Sequence, residues 1–274
     1  MIENSVIVIL KGRFGNILFQ IAAGMSYSVK YNKNLYLFPG NGGGWINYYP
    51  LYNDFLKNFK IINQEDFDKI NGVFWNETEP THEYIEFPDV NKQNLIIDGY
   101  WQDLRYIDFN VISPKFMCPS DKIESIKERL NVKNYDDYVF MSIRHGLDYQ
   151  RYNVALSMEW FENVYNKHFE NKKAIIATDD ILFVEKNLNI PDKRIIPMCD
   201  DFYLSHENLY LGTFFKNQII SNSSYSIWGA LFQNNSDQKI VYPSDWFGVG
   251  SKIISVPTKD NWICEGAIFE NHKQ

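Results

Sequence analysis

The opening of the chain constrains its fold more than any other stretch. Ser5-Val-Ile-Val-Ile-Leu10 leads into Lys11-Gly12-Arg13-Phe14-Gly15-Asn16, and an apolar run follows from Ile17 to Ser28. Val6 to Leu10 is a short β-branched run bounded by a turn, the pattern of a strand covered on both faces. Ile17, Leu18, Ile21, Ala22, Met25, Ser28 and Val29 recur at helical spacing, and Ala22, Ala23 and Gly24 let that helix lie close on a sheet. Gly12 and Gly15 read as a tight turn that lets a ligand approach the backbone. A strand feeding a helix through such a turn points amide N–H groups outward at the strand's carboxyl end. There, open α/β sheets bind ligands, often anionic ones. The same residues also fit the first βα unit of any α/β protein. Gly12-x-x-Gly15 lacks the G-x-G-x-x-G spacing of a dinucleotide site, which leaves a dehydrogenase only weakly supported.

The rest of the chain repeats this alternation. Strands are expected at Asn34–Phe38, Asn94–Asp98, Tyr138–Ile143, Ala174–Ala177, Arg194–Ile196, Gln218–Ser221 and Lys239–Tyr242. Helices are expected over Met158–Phe169, Ile181–Leu188, Asn208–Lys216 and Ile227–Phe232, and a capped, charged helix begins at Ser120. Strands alternating with helices imply parallel sheets with helices on both faces. Pro114–Pro119 reads as a linker, and the division between two lobes falls within residues 114–136, giving 1–125 and 126–274. Pro39–Trp45 is a glycine-rich loop ending in an aromatic, either a mobile acceptor loop with Trp45 as a stacking surface or a surface loop with a packed Trp. The D-x-D at Asp66–Asp68 lies in a polar amphipathic stretch and reads as a solvated helix face rather than a metal–nucleotide site.

Composition narrows the function. A net charge of −7 over 274 residues argues against nucleic-acid binding, which needs a basic surface. Aromatic residues make up 16%, with 18 Tyr and 7 Trp, and such rings suit sugar stacking as well as cores. Cys118, Cys199 and Cys264 are odd in number and widely spaced, the pattern of reduced thiols in a cytoplasmic protein. The early apolar run stops at Leu10, so no signal peptide or membrane span is expected. Asn76-Glu-Thr78 matches a glycosylation sequon with no meaning outside secretion. No zinc, serine-hydrolase or P-loop motif is present.

Three strand ends in the second half carry polar clusters. Arg144, His145 and Arg151 gather positive charge near Asp148. A strand-end Arg suits a diphosphate through its planar fork, although an Arg144–Asp148 ion pair is the structural alternative. Thr178-Asp179-Asp180 reads as ribose or base contacts, or as the N-cap of the next helix. Ser221-Asn222-Ser223-Ser224 precedes a helix N-terminus, as an anion site or as a simple cap.

Together these stretches resemble the bacterial α-1,2-fucosyltransferases of glycosyltransferase family 11. Gly12-Arg-Phe-Gly15-Asn16-Ile-Leu-Phe-Gln20 is similar to G-x-L-G-N-Q-M-F-Q. Gly99-Tyr100-Trp101-Gln102 is similar to G-Y-F-Q. Ser221-Asn-Ser-Ser-Tyr-Ser-Ile-Trp-Gly-Ala230 is similar to A-N-S-T-F-S-W-W-G-A, and Val241-Tyr-Pro243-Ser-Asp-Trp246-Phe247 to I-x-P-x-x-W-F. The chain departs from the family at Ser142, where a His is usual, at the extra Leu147, and at Asn208, where an Asp is usual.

The resemblance implies a GT-B-like α/β fold of two Rossmann-like lobes with a central cleft, residues 1–125 on the acceptor side and 126–274 holding the donor. It implies inverting, metal-independent transfer of L-fucose from GDP-fucose to the 2-hydroxyl of a galactose-containing glycan, with no cofactor beyond the nucleotide sugar. Another nucleotide sugar, or a glycan-binding protein whose catalysis has decayed, are the alternatives. Gly12, Arg13, Phe14, Gly15, Asn16, Arg144, Thr178, Asp179, Asn208, Asn222, Ser223, Ser224 and Tyr225 are expected at the donor; Trp45, Tyr100, Trp101 and Gln102 at the acceptor. Arg144 is expected on an open rim, neutralising the leaving diphosphate with Ser223 and Ser224. Asp148, or failing it His145, is expected as the base, unless a departing phosphate oxygen takes the proton. The expected location is cytoplasmic, with peripheral contact at the inner membrane left open.

Overall fold

The structure is a computed structural model. It describes residues 2–40, 55–78, 81–116, 118, 120–197, 209–233, 236–253 and 256–270. Trp45 and Asn208, both expected at the site, lie outside the described residues, as do the loop from residue 41 and Cys199.

The chain divides into two units. The first is Met1–Met117 with Lys252–Pro257; the second is Cys118–Ser251 with Thr258–Gln274. A division at 125/126 would cut the helix Ser120–Leu130, which lies wholly in the second unit. The boundary between Met117 and Cys118 falls inside the expected linker Pro114–Pro119, although the start of that stretch is helical, the helix Phe109–Phe116 running through Pro114.

In the first unit, β1 (Ser5–Ile9), α1 (Phe14–Lys30), β2 (Asn34–Phe38), β3 (Lys60–Ile61), α2 (Gln64–Phe67), β4 (Gly72–Asn76), β5 (Asn94–Asp98) and α3 (Phe109–Phe116) follow in order. The five strands form one sheet in the order β3-β2-β1-β5-β4, every pair parallel. Ile7 faces Tyr36 on one side and Ile96 on the other, so β1 is the central strand. Val6, Ile7 and Val8 are fully buried, as a strand covered on both faces requires. α1 begins three residues before Ile17, so Gly15 is a buried helical residue and not part of the turn. Gly24 is where α1 meets the sheet: a Cβ there would fall 2.3 Å from Val8 Cγ2. α2 is the solvated helix expected around Asp66, capped by Asn63 Oδ1 and carrying a Lys69–Glu65 ion pair. β3 and β4 went unforeseen; β3 has two residues and β4 has no fully buried position.

The second unit contains α4 (Ser120–Leu130), β6 (Tyr138–Ile143), α5 (Leu147–Arg151), α6 (Met158–Phe169), β7 (Lys173–Thr178), α7 (Ile181–Asn187), β8 (Lys193–Pro197), β9 (Asn217–Ile220), α8 (Ser224–Phe232), β10 (Lys239–Pro243) and β11 (Ile263–Glu265). Its six parallel strands run β11-β10-β9-β6-β7-β8. Val139, Met141, Ile143, Ile176 and Ile219 pack there with Trp160, Phe161 and Val164 of α6. The helix expected over Asn208–Lys216 is instead a 3₁₀ segment at Tyr210–Phe214, and α8 starts at Ser224 rather than Ile227.

Each sheet reverses its winding once. β1 is flanked by β2 and β5, and β6 by β7 and β9. At such a switch point the connections leave in opposite directions and open a crevice at the carboxyl ends. Every expected polar turn within the described residues follows one of five strands: β1, β5, β6, β7 or β9.

Candidate functional site

At the first switch point, β1 and β5 lie in register, with Ile9 opposite Asp98, so the turns that follow them meet. Gln20, fully buried on α1, shapes the first turn: its Oε1 accepts from Lys11 N at 2.9 Å and its Nε2 donates to Lys11 O at 2.6 Å. Gly12 has φ +81°, and a Cβ there would fall 2.5 Å from Asn16 Nδ2 and 2.9 Å from Tyr100 Cε1. Gln102 Nε2 donates to Asn16 Oδ1 at 2.9 Å. Lys11 Nζ sits 5.3 Å from the Tyr100 ring centre and 2.7 Å from Asp98. Gly12, Asn16, Tyr100 and Gln102 therefore form one cluster, although Asn16 and Gln102 are 86 positions apart in the chain.

Two expected residues do not reach this surface. Trp101 is fully buried, its ring 4.9 Å from Phe87 and 5.3 Å from Tyr106, so it belongs to the core and not to an acceptor platform. Phe14 is buried against Phe55, with ring centres 5.7 Å apart. Both are turned inward because large apolar rings gain most by leaving water. Arg13 is exposed and occupies the N-cap position of α1, where its side chain makes no cap hydrogen bond.

Two residues enter that sequence reading passed over. Glu77, just beyond β4, accepts from Tyr100 N at 2.7 Å and from Trp101 N at 3.0 Å, and its Oε2 lies 2.8 Å from His82 Nδ1. Its side chain is only 4% exposed. The signal was a carboxylate one residue past a short strand, but it was masked by the Asn76-Glu-Thr78 sequon.

At the second switch point the guanidinium of Arg144 is not on an open rim. Its side chain is 12% exposed, paired with Asp179 through Nη1 and with both oxygens of Asp148 through Nη2 at 3.1 Å. The carboxylate of Asp179 also accepts from His145 N at 2.8 Å and Gly146 N at 3.0 Å. Asp179 is thus consumed in holding the turn after β6 and offers little to a ribose. Thr178 is fully buried and accepts from Asp180 N at 3.1 Å; Asp180 caps α7 by accepting from Phe183 N at 3.2 Å. Of the two expectations for this segment, the cap is what the structure shows.

His145 cannot meet a substrate. It is 1% exposed, stacked on Phe183 with ring centres 3.8 Å apart, and its Nδ1 lies 3.1 Å from Asp180 Oδ2. Its backbone is held by Asp179, which turns the ring under α7.

Tyr149 joins the turns after β6 and β9. Its Oη donates to Asn222 O at 2.9 Å, and Arg144 lies over its ring at 5.2 Å. Burial pushes its hydroxyl above the ordinary 10.0, with Arg144 pulling the other way. It therefore stays a neutral donor. Asn222 is buried, donating to Val154 O at 3.0 Å and Trp246 O at 3.1 Å. Ser223 is buried and caps α8 through Tyr225 N at 3.3 Å. Both are structural in this state; Ser224 and Tyr225 are partly exposed in the first turn of α8. Ser142, standing where the family pattern has His, is buried with its Oγ 2.6 Å from Ser226 Oγ.

Among the described residues no group of three or more His, Cys, Asp or Glu is placed to hold a metal ion. Nor is any helix among them long and apolar enough to cross a membrane.

Two all-parallel α/β units with polar turns at their carboxyl edges define a GT-B-like fold. The crystal structure of the NodZ α-1,6-fucosyltransferase of Bradyrhizobium soaked with GDP-fucose shares it, with a TM-score of 0.54 and 13% identity over 84% of this chain and 92% of that one. Among curated proteins, the chain is 28% identical over 189 residues to the O-antigen biosynthesis glycosyltransferase WbnK of Escherichia coli, covering 63% of this chain and 61% of that protein. It is 25% identical over 289 aligned positions to an alpha-1,2-colitosyltransferase of Escherichia coli, covering 94% of this chain and 98% of that protein. The chain thus spans less than two thirds of the first of these relatives and nearly all of the second. No protein-family model matches it.

Proposed function

We propose that the chain is an inverting, metal-independent glycosyltransferase that moves L-fucose from GDP-fucose to the 2-hydroxyl of a galactose-containing glycan. The observation that carries this reading is the nearly end-to-end similarity to the colitosyltransferase. The same fold in a fucosyltransferase soaked with GDP-fucose adds to it. The colitosyltransferase also favours a second reading, in which the sugar moved is colitose.

In this proposal the second unit binds the donor. Arg144 meets the diphosphate by exchanging Asp148 for it. Asp179 is 9% exposed and shares its carboxylate with two backbone amides, so it stays. Asp148 is 27% exposed and accepts from Nη2 of the guanidinium with both carboxylate oxygens. A partly exposed pair of this kind is worth roughly 1 kcal/mol, and a diphosphate brings more charge and more acceptor oxygens than the carboxylate it displaces. Ser224, Tyr225 and the first turn of α8 add hydrogen-bond donors to the same anion. As the anomeric bond breaks, charge grows on the leaving oxygen, and each preorganised donor there is worth about 3 kcal/mol. The first unit takes the acceptor side in this proposal, with Gly12, Asn16, Tyr100 and Gln102 as its polar turns and Tyr100 as the stacking face.

Thermal shift against GDP, UDP, dTDP and NAD tests the donor class, because a ligand that binds only the native state raises its melting temperature. Stabilisation by GDP alone, with GDP released from GDP-fucose when a galactoside is present, is the expected result. Stabilisation by NAD alone would assign a dehydrogenase, and no stabilisation a glycan-binding protein. An Arg144→Ala variant with near-normal transfer would remove the arginine from the mechanism.

A further inference from the structure

We infer that His82 is the general base of the proposed transfer, with Glu77 as its positioning residue. The inference rests on the glycosyltransferase reading above and deepens it. An inverting displacement needs a group to take the proton from the attacking hydroxyl. Of the two groups expected for that task, His145 is 1% exposed, and Asp148, released when the diphosphate takes its place on Arg144, is the rival that the test below separates from His82.

His82 has the geometry these lack. A buried carboxylate holds one ring nitrogen, Glu77 Oε2 lying 2.8 Å from Nδ1. Nε2 has no partner among the described residues and is not among the sealed polar atoms. A carboxylate on Nδ1 fixes the tautomer with its proton on Nδ1, which leaves Nε2 as the lone-pair nitrogen. Glu77 is anchored in turn by Tyr100 N and Trp101 N, so the orienting group is itself preorganised. The imidazole lies 6.2 Å, centre to centre, from the Tyr100 ring, on the same turn that meets Gly12 and supplies Gln102. A sugar stacked on Tyr100 places its hydroxyls along this edge. His82 takes φ +50°, a left-handed backbone that His adopts more readily than most side chains, and its backbone N–H donates to Thr78 O at 2.7 Å.

The step balances without any further reactant. The acceptor O–H bond breaks and its proton passes to Nε2. The oxygen's electron pair forms the new bond to the anomeric carbon. The anomeric bond to the diphosphate breaks, and its pair leaves with the nucleoside diphosphate. The imidazolium then gives its proton to water. The charged and titratable groups facing the ring are Glu77 on Nδ1 and Tyr100 beside it, with Lys11 and Asp98 beyond Tyr100.

The test is kinetic, on the full chain. His82→Asn tolerates the positive φ, can still donate to Glu77 and has no base. It should lower kcat by ~10²- to 10³-fold while leaving the thermal shift by GDP unchanged. The acid limb of its pH–rate profile should vanish. His82→Gly, which also accepts the backbone angle, should recover part of its rate when imidazole is added. Glu77→Gln should lower kcat and displace the acid limb. Transfer by His82→Asn within threefold of wild type would overturn the base assignment and leave the function standing. A wild-type protein that neither binds GDP nor transfers sugar would overturn both.

Discussion

Asp179 fills the backbone cradle that opens after Arg144. One carboxylate takes the guanidinium of Arg144 and the amides of the next two residues, His145 and Gly146. The turn after β6 is therefore an anion site whose occupant comes from the end of the neighbouring strand β7. This arrangement fixes the direction of Arg144 before any ligand arrives, and leaves Asp148 as the partner that can move.

Asp179→Asn should destabilise the second unit by about 3 kcal/mol, the size expected when one member of a buried ion pair is removed. The amide keeps one acceptor but turns its own donors toward Arg144 or a backbone N–H. Urea unfolding measures the loss. A change under ~1 kcal/mol would mean the pair behaves as a surface bridge.

Gly12→Ala should reduce both stability and acceptor use. The φ of +81° costs an L-residue ~1 kcal/mol or more, and the added methyl meets Asn16 Nδ2 at 2.5 Å. Displaced Asn16 loses Gln102. A lower melting temperature together with a raised KM for the acceptor is expected, and an unchanged KM would separate this turn from acceptor binding.

Gln20→Leu keeps the volume of a buried side chain but removes both hydrogen bonds to the backbone of Lys11. Each group left unsatisfied costs ~1–3 kcal/mol. Calorimetric unfolding should show that loss. Gln20→Glu should be worse than neutral, because a carboxylate cannot donate to Lys11 O.

Acid should loosen the far edge of the second sheet through Glu265. Its carboxyl is held below the ordinary 4.5 by the hydrogen bond from Lys167 and, after a smaller opposing effect of burial, by His168. A depressed native value means that the stabilisation is complete above the unfolded value and is lost as pH falls through the native one. Glu265→Gln should therefore be less stable than wild type at neutral pH, and the gap should close below pH ~4. A gap that stays constant down to pH ~2.5 would rule out this linkage.

Much of this molecule could be read before its coordinates. The β-branched run at Val6–Val8 is buried on both faces, the helical stripe after it became α1, and Gly24 sits against Val8 as small residues at that position suggested. The alternation of strand and helix carried the fold because periodicity is local: it depends only on neighbours a few residues apart. Edge strands such as β3 and β11 escaped it because two or three residues are too few to show a period.

What the residues do at the site was decided in three dimensions. Trp101, Phe14, Thr178, Asn222 and Ser223 stand in motifs that looked like ligand contacts, and burial turned them into structure. His145 and His82 are the same side chain in polar stretches. One is sealed under Phe183, while the other is held by Glu77 at an accessible edge. Charge compensation and solvent access depend on which strands are neighbours in the sheet. The pairing of β1 with β5 and of β6 with β7 and β9 brings together residues far apart in the chain, and no local pattern contains that information.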